Sequence, residues 1–141
     1  METDKIEESK KEKQYPETNS IKKSSSDLPH HHGNCKEEVL KDLPTEDMIQ
    51  AVSEAMKQLG DPMRLRIFWL LCHAEECVIN IAAIMDSSSP AVSHHLRLLK
   101  NAGLIVSERH GKEMYYKAAD TELAQKLHHV IEDIGRISCP E

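Results

Sequence analysis

Side chains that bind soft or borderline metal ions gather in two places along this sequence, and a third group of harder donors follows near the C-terminus. The first is His30-His31-His32-Gly33-Asn34-Cys35, which sets imidazoles beside a thiol. The second is Cys72, His73 and Cys77, where a turn could bring Cys72 or His73 close to Cys77. Thiolates and neutral imidazoles favour zinc and the softer cadmium and lead ions. Cys35, Cys72 and Cys77 could therefore form a three-thiolate or mixed thiolate-imidazole site, with His31 or His32 as a fourth donor. The third group is Glu122, His129 and Asp133, whose spacings return to one face of a helix. Each group also has a plain structural role: Cys72 and Cys77 as small buried hydrophobes, the histidines as a solvated tail, the last group as solvated charge. Cys139, beside Pro140, reads as a free thiol with no role.

Catalysis is not expected. The chain shows no paired carboxylates, no activated nucleophile and no phosphate-binding glycine loop, and His73 with Cys77 lacks an orienting third group.

The elements that must hold these donors are short. Residues 1–44 mix Lys, Glu and Ser with few apolar residues, and 1–29 in particular cannot bury enough surface to offset chain entropy, so the stretch is expected to be a disordered extension. Met48, Val52, Ala55, Met56 and Leu59 recur at helical spacing until Gly60, and Asp61-Pro62 caps and opens a second helix through Leu65, Phe68, Trp69 and Leu71. After a polar link at 72–76, Val78 to Met85 reads as a third helix burying Ile81, Ile84 and Met85, broken by Ser87-Ser88-Ser89. Ser89 and Pro90 then open a helix striped by Val92, Leu96 and Leu99 that reaches Asn101, with Gly103 beyond its end. Residues 104–109 and 113–117 read as strands of a hairpin around His110-Gly111. Leu123, Leu127, Val130, Ile131 and Ile134 stripe a last helix after Asp120-Thr121. The fold class expected is mainly α with a β-hairpin wing, with a core domain at 45–137 and a short tail at 138–141.

Turning Val92, Leu96 and Leu99 inward sends Pro90, Ser93, His94, Arg97 and Asn101 outward. Arg and Asn side chains can read guanine and adenine edges bidentately, and Ser and His can donate to phosphates. Ser88 and Ser89 would leave free N–H groups at the helix start for a phosphate, and Arg109 and Lys112 flank the hairpin tip.

Charge follows the same division. The 141-residue chain carries a formal net charge of −6, which argues against nucleic acid if taken as a sum. Between 86 and 117, however, Arg97, Lys100, Arg109, Lys112 and Lys117 outnumber Asp86, Glu108 and Glu113, whereas the segments on either side are acidic. The N-terminus has no apolar signal region and no run is long enough to span a bilayer, so a cytoplasmic protein with no membrane partner is expected. Four scattered cysteines then read as free thiols rather than disulfides.

The runs LGDPMRLRIFWLL, EECVINIAAIM, SSSPAVSHHLRLLKNAGLI and RHGKEMYYK together resemble the ArsR/SmtB family of winged-helix metal-sensing repressors, over roughly residues 45–137. The resemblance is nearest to cadmium-, lead- and zinc-sensing members with an N-terminal extension. It implies a homodimer built from the first and last helices, a helix at Ser89 to Asn101 that reads the major groove of operator DNA, and a wing on the flanking backbone. It also implies a regulatory metal ion (Cd, Pb or Zn) and no catalytic cofactor. Cys77 matches the first cysteine of the family's third-helix motif, but Ile79 stands at the second, and Cys35 is placed like the extension cysteine of the soft-metal sensors. In the family's last-helix site Asp120 matches, Glu122 and Asp133 replace histidines, and Arg136, which cannot ligate metal, replaces a carboxylate.

The expected function is a repressor that releases its operator on binding metal. A thiol-redox or persulfide-responsive repressor of the same fold is one rival, and a metal-buffering His/Cys protein without specific DNA binding is another.

Overall fold

The computed structural model describes residues 24–30, 32–33 and 36–136. His31, Cys35 and Cys139 therefore lie outside the described residues, as does most of the expected disordered tail. The chain divides into two compact units, Met1–Ile49 and Gln50–Glu141.

The first unit is not wholly without structure. Ser25–Asp27 forms a 3-10 turn and Glu37–Lys41 a short helix, α1. The Glu37 carboxylate accepts from the backbone N–H of Ser25 at 2.6 Å and from its hydroxyl, which holds its pKa below the usual carboxylate value. Helix α2, Glu46–Leu59, begins in this unit and ends in the second.

In the second unit, α3 (Pro62–His73) starts where Asp61 accepts from Arg64 N–H at 3.0 Å, with Pro62 at a position that needs no N–H donor. Cys72 and His73 form its last two residues. Glu76–Cys77 then forms a strand, β1, in what the sequence pattern gives as a link. Two residues are too short to show a period, and the pairing of Glu76 with Tyr116 and Cys77 with Tyr115 is set by a distant strand.

Helix α4 (Val78–Met85) turns Ile81, Ala82 and Met85 inward. Ile84, expected in the core, is 52% exposed, because the buried arc is centred away from it. Asp86 ends the helix at φ 51°, a left-handed conformation that Asp tolerates better than most residues. Helix α5 (Ser89–Asn101) is capped by Ser88 rather than Ser89: Ser88 Oγ accepts from Ala91 N–H at 3.3 Å. Gly103, at φ 75°, turns the chain out of α5, and the N–H of Leu104 closes the end on Leu99 O at 3.1 Å.

Strands β2 (Ile105–His110) and β3 (Glu113–Ala118) pair antiparallel, with His110 opposite Glu113 and Gly111 at φ 64° opening the two-residue turn. The sheet order is β1-β3-β2. Helix α6 (Glu122–Gly135) begins where Thr121 accepts from Ala124 N–H at 3.2 Å. The core gathers Ile67, Phe68, Leu71, Ile81, Met85, Val92, Leu96, Leu99, Leu104 and Ile105, with Ala124 and Leu127 of α6 closing one side. Val130 and Ile134, counted in the α6 stripe, stay exposed at 46% and 80%. No helix among the described residues is long and apolar enough to cross a membrane.

Candidate nucleic-acid interface and metal centre

Burial of Val92, Leu96 and Leu99 fixes the rotation of α5, so the opposite face is open. Pro90, Ser93, His94, Arg97 and Asn101 are all exposed there, as are Ser88 and Ser89 at its start. The expected positions are therefore on one surface. Arg109 and Lys112, at the end of β2 and in the turn, are also exposed. Lys100 Nζ donates to Ser107 Oγ at 2.7 Å, tying the C-terminal turn of α5 to the wing.

Helix α5 is held from behind by Arg64. Its Nε donates to Gln58 O at 2.9 Å and its Nη1 lies 3.4 Å from His95 Nδ1. Burial holds the His95 pKa below the ordinary imidazole value, Arg64 and His94 push the same way, and Asp61 opposes them. This polar seam joins the end of α2, the start of α3 and the inner edge of α5.

The metal donors fall differently from the sequence pattern. Among the described residues, two groups of three bring their ligand atoms within 4.8 Å of one another: His73, His128 and Glu132, and Glu75, Glu108 and His110. Neither contains His32, Cys72, Cys77, Asp120, Glu122, His129 or Asp133. His32 stacks on His30 with ring centroids 5.6 Å apart. Cys72 is half-buried beside the core and Cys77 is buried where β1 meets α4. Asp120 accepts from Gln125, Glu122 pairs with Lys126, and His129 stacks on His128.

In the first group, His73 Nε2 and His128 Nε2 are 2.9 Å apart, and Glu132 Oε1 is in contact with the same His128 nitrogen. Burial holds the His128 pKa below the ordinary imidazole value, against the pull of the Glu132 carboxylate. The sequence signal was an i, i+4 pair on α6, and two such pairs exist one residue apart. His128 and Glu132 flank the buried Ala124-Leu127 face, whereas His129 and Asp133 lie a further 100° or so round the helix, in solvent. The second group is wholly exposed: His110 Nε2 lies 3.0 Å from Glu75 Oε1 and 3.7 Å from Glu108 Oε2, linking the α3-β1 loop to the wing.

Helix α4, the three-residue turn Asp86 to Ser88, the exposed face of α5 and the β2-β3 hairpin define a winged helix-turn-helix. The model of the arsR family of bacterial regulatory proteins matches residues 61–107. Among curated relatives, the transcriptional repressor SmtB homolog of Synechocystis is 36% identical over 69% of this chain and 74% of its own length. The cadmium resistance transcriptional regulatory protein CadC homolog of Staphylococcus aureus is 34% identical over 73% of this chain and 85% of its own. The chain belongs to the ArsR family. Among solved structures, the homodimeric winged helix-turn-helix DNA-binding domain Mb0332 of Mycobacterium bovis matches with a TM-score of 0.59 at 26% identity, covering 67% of this chain and 90% of that one. The transcriptional repressor BigR of Xylella fastidiosa, at 23% identity and a TM-score of 0.57, covers 67% of this chain and 95% of its own, and shows the fold alone.

Proposed function

We propose that this protein is a metal-responsive repressor that binds operator DNA as a homodimer in the cytoplasm and leaves it when a soft or borderline metal ion binds. The observation that carries the DNA reading is the exposed face of α5, where Arg97 and Asn101 can reach base edges while Ser88, Ser89 and the wing cations meet phosphates. Two copies double those contacts and match a palindromic site. Val130 and Ile134 on α6 offer apolar surface for the pairing.

The metal reading is supported by the cadmium-resistance regulator among the relatives and by the donor-rich composition of the chain. The regulatory ion proposed is cadmium, lead or zinc. The ligands proposed from sequence are Cys77 with Cys35, joined by Cys72 and His32, and deprotonated thiolates supply the soft coordination. A last-helix set of Asp120, Glu122, His129 and Asp133 is the second proposal. Metal acts as a coupling free energy between ion and operator, typically about 1–3 kcal/mol, by favouring a dimer geometry that presents the two α5 helices poorly to DNA.

The test is anisotropy of a labelled fragment from upstream of the protein's own gene, with zinc, cadmium or lead added in turn. Tight binding by the metal-free protein and release by at least one ion is expected. Tight binding that no ion alters overturns the metal reading and leaves the DNA reading standing.

A further inference from the structure

The His73-His128-Glu132 group shares no residue with the thiol set or with the last-helix set proposed above, and its chemistry differs from the first. We propose that it is a separate divalent-cation site of the zinc type, with two imidazole nitrogens and one carboxylate oxygen as protein ligands and water completing the shell. The regulatory use of the site rests on the metal-responsive reading; its existence does not.

Three observations carry it. The ligand atoms converge: the two Nε2 atoms are 2.9 Å apart, Glu132 Oε1 meets the same His128 nitrogen, and all three lie within 4.8 Å. Two nitrogens at zinc-ligand distance in a tetrahedral shell stand roughly 3.3 Å apart, so the pair has to open by only about half an ångström to admit an ion.

Proton chemistry, secondly, serves this arrangement poorly. His128 Nε2 faces both an imidazole nitrogen and a carboxylate oxygen, and one N–H can be directed at one of them at a time. A cation at the centre takes a lone pair from all three. Glu132 is 7% exposed, so its carboxylate sits largely out of water beside His128.

Placement is the third. His73 is the last residue of α3, while His128 and Glu132 are successive turns of α6. An ion there pins α6, whose outer face carries exposed Val130 and Ile134, to the helix that leads through β1 and α4 into the DNA-facing α5. That makes the site a clamp between the pairing helix and the reading head.

The chain contains a reporter for it. Trp69 is its single tryptophan, one helical turn before His73, with ring centroids 4.6 Å apart and a buried indole N–H that has no hydrogen-bond partner among the described residues. Cobalt(II), a paramagnetic stand-in for zinc, bound at this site should quench Trp69 emission.

The experiment titrates cobalt(II) into the full-length protein and follows Trp69 fluorescence and near-ultraviolet absorption. Saturable quenching is expected in the wild-type protein and in a variant with Cys35, Cys72, Cys77 and Cys139 all changed to Ala, without thiolate charge-transfer bands in the latter. His128→Asn and Glu132→Gln, which keep side-chain size, should each weaken the quenching titration by about tenfold or more. Quenching that persists unchanged in both of these variants, or that vanishes when the cysteines are removed, overturns the site. No DNA enters this assay, so its failure is separable from failure of the metal-responsive reading, which the operator assay tests alone.

Discussion

Arg64 Nη1 lies 3.4 Å from His95 Nδ1, across the junction of α3 and the inner edge of α5. Arginine is always protonated and donates, so Nδ1 must accept, and protonating it removes the acceptor and sets two cations together. The groups facing His95 are Asp61 and Arg64 from α3 and its cap, and His94 from α5. Burial lowers the folded-state pKa below 6.5, so the neutral form contributes stability fully present above that unfolded value and lost as pH falls towards the folded one. Urea unfolding at pH 7 and pH 5 should show a smaller loss for His95→Gln than for the wild type. Equal losses contradict the assignment.

The helix caps give a second expectation. Ser88 Oγ holds Ala91 N–H at the start of α5. Ser88→Ala should cost about 1 kcal/mol of stability, and Ser88→Asp, which keeps an acceptor, should restore most of it. Chemical denaturation midpoints measure both. Equal stability of the Ala and Asp variants would mean that the cap contributes nothing.

Arg97 and Lys112 should fail differently on DNA. Arg97, exposed on α5, is the residue proposed for base edges, and Arg97→Ala should weaken operator binding by about 1–3 kcal/mol with relaxed sequence preference. Lys112, in the wing turn, is the residue proposed for phosphate, and Lys112→Ala should weaken specific and random DNA alike and lower the salt slope by about one. Anisotropy titrations at several salt concentrations separate the two. Identical changes in slope and specificity would remove the distinction between reading helix and wing.

Ile134 is 80% exposed near the end of α6. If α6 pairs two copies, Ile134→Glu places like charges across the axis and should convert the dimer to monomer in analytical ultracentrifugation, with loss of operator binding. A variant that stays dimeric would move the interface elsewhere.

The outward face of α5 was legible in the sequence because its period is strong. Val92, Leu96 and Leu99 fix the rotation of α5, and the nine expected contact residues are all exposed. The hairpin was legible from Gly111 between two β-rich runs. Strand β1 was not, since Glu76 and Cys77 owe their conformation to Tyr115 and Tyr116 some forty residues on. Ile84 misled because an apolar residue on a helix of eight says little about which arc is buried. The metal donors show the same limit. His73 was singled out beside Cys77, yet its neighbours are His128 and Glu132, and choosing these over His129 and Asp133 takes the rotation of α6 to within one residue.

The central claim is that metal and operator compete through the protein. The most direct measurement closes the cycle: operator affinity with and without saturating zinc or cadmium, and affinity for the same ion with and without operator. The expected result is a loss of operator affinity of about 5- to 150-fold, matched by an equal loss of metal affinity on DNA. Operator affinity identical in the metal-free and metal-saturated protein would contradict the account.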